Sequence, residues 1–303
     1  MKPILHINAG VGWSATKPLC YTLEREGYTH RGSATEYNML YYMYERKYVS
    51  KHAEYFWKTN HSQRNDKDFI KEDTTIEYYI DYMKSQVKDG YRGVADFSNS
   101  NGSIPSYFLK EIAPILQDHF DITVTTIWRH PVRRSYSQVS NWYRELTEND
   151  KAPEQWKLRD ESKVSLWKQI KKEYPDSISY WKHQLVEKPW HLIPSYVKIY
   201  KNYKSAFPKV LPLIMEEVWK DPSELSKFIE HSIPTMHDNV YYPERGTNRP
   251  EIIGLSDQYN SDMQDLSEDD LKYGRRKLDW LYEEFKTQFG YIPPSWQEYD
   301  QKS

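Results

Sequence analysis

Two stretches of this chain carry residue types suited to anion chemistry. The first is Gly10-Val11-Gly12-Trp13-Ser14-Ala15-Thr16-Lys17. A glycine-containing turn that feeds a helix aims several backbone N–H groups and the positive end of the helix dipole at one point, where a phosphate or sulfate fits. The same spacing also serves an ordinary β–α turn that needs glycine for backbone reasons. The stretch lacks the Gly-Lys-[Ser/Thr] of a Walker A loop. The second is Trp128-Arg129-His130-Pro131-Val132-Arg133-Arg134-Ser135-Tyr136-Ser137. An arginine at the carboxyl end of a parallel strand stands where open α/β sheets bind ligands. Ser137 then lies about two turns into the following helix. Arg129 offers a bidentate fork to a phosphate dianion and Ser137 adds a hydroxyl donor. The alternative is a strand-end arginine paired to a neighbour, with Ser137 on a solvated helix face.

The elements that must position these residues follow from periodicity. Ile4 to Asn8 reads as a short buried strand, and Thr16 to Glu26 as a helix with Pro18 in its first turn, where the missing N–H costs nothing. Tyr37–Tyr48 and Thr75–Val87 carry apolar residues at helical spacing, with a polar surface loop, Lys58–Asp73, between them. Gly93–Phe97 reads as a strand, followed by a Ser/Asn-rich loop and a helix over Pro105–Leu116. Ile122–Trp128 is the clearest strand of all, being rich in β-branched residues. A helix follows to Glu145, then a charged loop over Thr147–Lys163 and a Trp- and Tyr-rich, largely helical stretch over Val164–Ala206. Val210–Met215 reads as a strand, Asp221-Pro222 as a helix start, and Tyr241–Ile253 as a loop. Ser267 caps a last helix running to Phe289. Strands that are continuous apolar runs and alternate with helices predict an α/β fold whose mainly parallel sheet is flanked by helices. No linker divides residues 1–303, so one domain is expected.

Composition narrows the function classes. The 42 basic and 44 acidic residues nearly cancel, so there is no electrostatic footprint for nucleic acid or an anionic membrane. The single cysteine, Cys20, excludes an intrachain disulfide and a zinc site built on several cysteines, which fits a reducing, cytoplasmic setting. No run of 18 apolar residues predicts a membrane span. His6, inside the first strand, reads as a hydrogen-bonded core residue. The aromatic residues between Trp156 and Tyr203 read mainly as helix packing, with an acceptor groove as the alternative.

In this order and separation, the two stretches resemble the sulfotransferases that use 3′-phosphoadenosine 5′-phosphosulfate (PAPS), most closely the heparan-sulfate-like and bacterial branches. Arg129, Pro131, Arg134 and Ser137 match that family's Arg-x-Pro-x-x-Arg-x-x-Ser motif for the 3′-phosphate in register. Gly10, Ser14 and Thr16 match its 5′-phosphosulfate loop, which also takes in Gly12, Trp13, Ala15 and Lys17. Asp96 with Pro105-Ser106-Tyr107 resembles the family's acidic residue followed by Ser-Pro-x-Tyr. Leu213–Val218 through Asp221-Pro222 resembles its strand ending in Glu-Asp-Leu, and Arg245-Gly246 its basic loop over the nucleotide. The resemblance implies a P-loop-like architecture with helical insertions. It also implies sulfuryl transfer from PAPS, with PAP as product, to a hydroxyl or amine of a small-molecule or carbohydrate acceptor. No metal is called for, because fixed donors carry the developing charge.

The departures are informative. Trp13 stands where the family loop carries a cation, and Ala15 replaces a loop glycine. Either Lys17 or another side chain supplies that charge, or the chain is an inactive nucleotide- or glycan-binding relative. A P-loop kinase would need a Walker lysine, which is not at its place. The resemblance also implies a base after the first helix. Glu36 lies at the matching position, with Thr35 in place of the family's lysine. The other reading of Glu36 is a solvated residue at a helix start, where it suits the dipole. His30 is the fallback base.

Overall fold

The structure is a computed structural model, and it describes residues 2–12, 14, 16–34, 36–49, 74–147, 169–170, 172–187, 194–223, 225 and 266–301. β1 (Ile4–Asn8) leads to α1 (Thr16–Arg25) and β2 (Thr29–His30). α2 (Met39–Tyr44) continues into a π-helical turn, Glu45–Val49. α3 (Ile76–Ser85), β3 (Gly93–Asp96), a 3₁₀ turn (Asn99–Ser103), α4 (Ser106–His119) and β4 (Asp121–Trp128) follow. Next come α5 (Pro131–Thr147), α6 (Ser177–Glu187), α7 (Tyr196–Lys204), β5 (Val210–Ile214) and α8 (Met215–Lys220). The last described elements are α9 (Glu268–Lys277), α10 (Asp279–Phe289) and α11 (Pro294–Gln301).

These elements gather into two compact units, Met1–Trp128 with Tyr196–Asn248, and Arg129–Ser195 with Arg249–Ser303. The first holds a five-stranded sheet in the order β2-β3-β1-β4-β5, with every pairing parallel. Ile7 of β1 pairs with Asp96 on one side and Val124 on the other. β1 and β3 are buried throughout and β4 along all but its first residue, as expected for strands covered on both faces. From β1 the chain moves one way, to β2, and from β3 it crosses to the other side, to β4. The topological switch therefore lies between β1 and β4. Right-handed crossovers put α1 on one face and α4 and α7 on the other. α7 packs on α4 and against β4 and β5, and Tyr196 stacks on Trp128 with ring centroids 5.7 Å apart. Pro212, which has no N–H to donate, is accommodated because β5 is an edge strand.

The second unit is helical. α5 packs on α6, and α9 packs on both. Trp181 is its centre: fully buried, it donates from Nε1 to Ser135 Oγ (2.9 Å) and meets Tyr136 edge-on (5.6 Å). A Cβ at Gly274 would lie 2.7 Å from the Trp181 ring, so α9 can approach only with glycine there.

The parallel α/β sheet agrees with the sequence reading, as do the strands at β1, β3, β4 and β5 and the Ser267 cap, which is a full capping box with Asp270. Four details differ. β2 is a two-residue edge strand with too short a pattern to register. The strand before residue 215 ends at Ile214, and Met215 already opens α8. The helix read from Ser267 to Phe289 breaks at Leu278 into α9 and α10. α11 follows beyond it, with Pro294 at its first position. The loops read over Lys58–Asp73 and Tyr241–Ile253 lie outside the described residues, as does most of Thr147–Lys163. Among the described residues no helix is long and apolar enough to cross a membrane.

Candidate functional site

The loop after β1 starts one residue beyond the strand, because Ala9 N still donates to the Thr125 carbonyl of β4 (2.7 Å). Gly10 is required by close approach. A Cβ there would lie 2.8 Å from Ile127 Cγ2 and 3.0 Å from the side-chain amide group of Asn8. Gly12 is not under that constraint, since its nearest neighbour would be Asn99 Cγ at 3.7 Å. Ser14 is fully buried, and its hydroxyl has no hydrogen-bond partner among the described residues. Thr16 opens α1, and Lys17, its second residue, is half-buried. Trp13 and Ala15 lie outside the described residues.

Glu36 is half-buried and is held by the loop that follows β3. Asn99 Nδ2 donates to Glu36 Oε1 (3.0 Å), and Thr16 Oγ1 donates to Asn99 Oδ1 (3.3 Å). Ser98, buried next to it, fixes the backbone of the same segment. Its Oγ accepts from Tyr37 N (2.8 Å) and Asn38 N (2.7 Å) while donating to Asp96 Oδ1 (2.5 Å). Asp96 also accepts from Ser98 N (3.1 Å) and from the Tyr79 hydroxyl (3.0 Å). Burial pushes the Asp96 carboxyl above the ordinary carboxylate range, and these donors pull against that shift. Asn38 takes a left-handed conformation (φ 58°), which turns the chain into α2 immediately after Glu36. Predicted residues from two separate stretches, Thr16 of the loop and Glu36, are thus brought together around Asn99. Asn99 and Ser98 were not singled out in the sequence. They lie 63 and about 60 residues from their partners, and nothing local marks them.

Arg129 is the first residue after β4 and belongs to the other unit, as does Ser137. Arg129 is fully buried, and Arg133, Arg134 and Ser137 are each more than nine-tenths buried. Placing guanidinium groups in such surroundings requires anionic or carbonyl acceptors close by. Pro131 is the first residue of α5, and Tyr136 of the motif packs on Trp181. His130, between Arg129 and Pro131, is buried and meets Tyr282 and Asp300: its Nε2 is 3.1 Å from Tyr282 Oη and 3.4 Å from Asp300 Oδ1.

His6 sits in the core as expected, with Nε2 2.9 Å from Thr125 Oγ1; burial, then the charge of Lys209, pushes its pKa down to about 3. His30 makes a poor base. Its Nδ1 accepts from Gly32 N (2.9 Å), which leaves the proton on Nε2, facing Glu24 Oε1 (3.3 Å). Burial lowers its pKa, with Glu24 opposing. Ser223 N donates to Asp221 Oδ1 (2.9 Å), as expected of a cap, whereas Arg245 and Gly246 lie outside the described residues.

No protein-family model and no curated protein matches the chain. Among solved structures it is similar to the sulfotransferase domain of the olefin synthase of Synechococcus PCC 7002. That similarity has 14% sequence identity and a TM-score of 0.40, over 96% of this chain and 96% of that one.

Proposed function

We propose that the chain is a sulfotransferase that uses PAPS. The observation that carries the reading is topological. β1 and β4 are neighbours at the switch point of the sheet, and the two anion-suited stretches are the segments that follow those two strands. Ligands of open α/β sheets bind outside the carboxyl ends of the strands at such a point. The loop fits an anion on its own evidence. It feeds a helix N-terminus, Gly10 keeps the backbone bare, and Ser14 is a buried hydroxyl in need of a partner.

In this reading the N–H groups around Ser14 to Lys17 hold the 5′-phosphosulfate, and Arg129 and Ser137 hold the 3′-phosphate that distinguishes PAPS from ATP. Bound PAPS supplies the sulfuryl group. Glu36 would take the proton of the acceptor hydroxyl or amine as its heteroatom bonds to sulfur and the bond from sulfur to the 5′-phosphate oxygen breaks, the electron pair leaving with PAP. Lys17 meets the charge that develops on the phosphate side, in place of the cation that Trp13 displaces. The acceptor class is a small molecule or a carbohydrate. A relative that binds PAP without turnover is the second reading, and Trp13 is the residue that favours it.

The test is calorimetry with PAP. Binding in the micromolar range or tighter is expected. Arg129→Ala should weaken it by on the order of 2–4 kcal/mol, because it removes one partner of a desolvated charge pair. Equal affinity in the two proteins would remove Arg129 from the site. Release of PAP from PAPS then separates an active enzyme from a binding relative.

A further inference from the structure

Asn99 touches two residues that the sequence places in the site, and it does so with one short side chain. Its Nδ2 donates to Glu36 Oε1 (3.0 Å), and its Oδ1 accepts from Thr16 Oγ1 (3.3 Å). The chemistry of the partners fixes the amide orientation. An ionised carboxylate only accepts, so the NH₂ group must face Glu36, and the carbonyl is then left to take the Thr16 hydroxyl proton. Aspartate cannot donate, alanine reaches neither partner, and the arrangement therefore selects an amide at this position.

We infer that Asn99 is a positioning residue, which holds the Glu36 carboxylate in its ionised form at a fixed place beside the anion loop. This rests on the assignment of Glu36 as base in the reading above. Three features support it. A hydrogen bond donated to a carboxylate favours the charged form, which is the form a base needs. Ser98, the preceding residue, pins the Tyr37 and Asn38 amides, so a single two-residue stretch controls both the backbone and the carboxylate of the 36–38 segment. Finally, the same amide reaches Thr16 at the start of α1, so the distance from base to loop is set by one rigid side chain. Misplacement of a reacting group by about 1 Å can cost on the order of 100-fold in rate.

The experiment compares wild type, Asn99→Ala and Asn99→Asp. The Glu36 carboxyl is titrated by carbon-13 NMR in the ligand-free protein and assigned by its loss in Glu36→Gln. Removal of the donor should raise the Glu36 midpoint. Replacement by a second carboxylate should raise it further, by about one pH unit or more, because like charges disfavour ionisation. The order expected is wild type, then Asn99→Ala, then Asn99→Asp. The double variant Asn99→Asp/Glu36→Gln exchanges donor and acceptor. It should recover the melting temperature lost in Asn99→Asp, which keeps the test decisive if a single variant is poorly folded. Midpoints that do not move, together with no recovery in the double variant, would overturn the inference. Its failure is distinct from failure of the sulfotransferase reading, which is read from PAP calorimetry on wild type. If PAP binds, the Asn99→Ala rate of PAPS hydrolysis should fall about tenfold or more with PAP affinity nearly unchanged, and the acid limb of its pH profile should move with the NMR midpoint.

Discussion

A buried hydroxyl without a partner costs about 1–3 kcal/mol, and among the described residues the Ser14 hydroxyl has none. The cost falls on the ligand-free protein, and in the proposed reading an anionic acceptor would recover it. Ser14→Ala should therefore leave the ligand-free protein as stable as wild type, or more stable by up to about 1 kcal/mol. The same change should weaken PAP binding by about 10- to 100-fold, since a hydrogen bond to a charged group contributes about 1.5–3 kcal/mol. Urea unfolding and calorimetry on the same preparation check the two halves. Loss of stability with unchanged affinity would make Ser14 a packing residue. Such a residue could be picked out from its place in a glycine-containing turn before a helix, but the orphaned state of its hydroxyl could not. That depends on how the loop is covered, which no local pattern encodes. Glu36 was legible only through a resemblance. The residue that holds it, Asn99, comes from the far side of β3 and was not legible at all.

At the scale of elements, β3 and the loop after it act as the frame for the 36–38 segment. Asp96 is the root of that frame, through Ser98. Burial raises its carboxyl above the ordinary range, while hydrogen bonds from Ser98, Tyr79 and Asn101 lower it, and burial is the larger effect. Between the ordinary and the raised value the folded state therefore holds a proton that the unfolded chain releases. Stability from this group is complete below the ordinary carboxylate range and is lost as pH rises through the raised value. Asp96→Asn removes that titration while its Oδ1 can still accept from Ser98. Thermal unfolding between about pH 4 and pH 7 should show wild type losing stability relative to Asp96→Asn as pH rises. A constant difference across that range would mean that Asp96 stays ionised in the fold. Most of the elements themselves were legible, for a physical reason. β1, β3 and β4 are buried on both faces almost throughout, so they are rich in apolar and β-branched residues, and Ser267 and Thr75 cap their helices with side-chain oxygens. The break at Leu278 was not, because no proline or glycine marks it; α9 and α10 are both amphipathic and read through as one helix.

At the scale of the molecule, the second compact unit uses the last described helix to hold the residue beside Arg129. His130 Nδ1 accepts from Arg133 N (3.4 Å), so the neutral ring carries its proton on Nε2, toward Tyr282 Oη and Asp300 Oδ1. Arg275 lies 3.6 Å over the Tyr282 ring and reaches Asp300 Oδ2 (3.3 Å), which ties α9, α10 and α11 to the same point. Trp296 of α11 is fully buried and meets His130, Tyr282 and Phe285, with centroids 6.3, 5.7 and 5.0 Å away. Truncating a buried tryptophan costs about 3–5 kcal/mol through lost burial and the cavity left behind. Trp296→Ala should therefore lower stability by that amount in urea. It should also weaken PAP binding several-fold under conditions where the variant is still folded, because the His130 ring loses one wall and Arg129 is its chain neighbour. Trp296→Phe refills most of the space and should recover most of both losses. Calorimetry on folded Trp296→Ala that matches wild type would show that Arg129 is anchored without the C-terminal helix, leaving Trp296 with a role in stability alone.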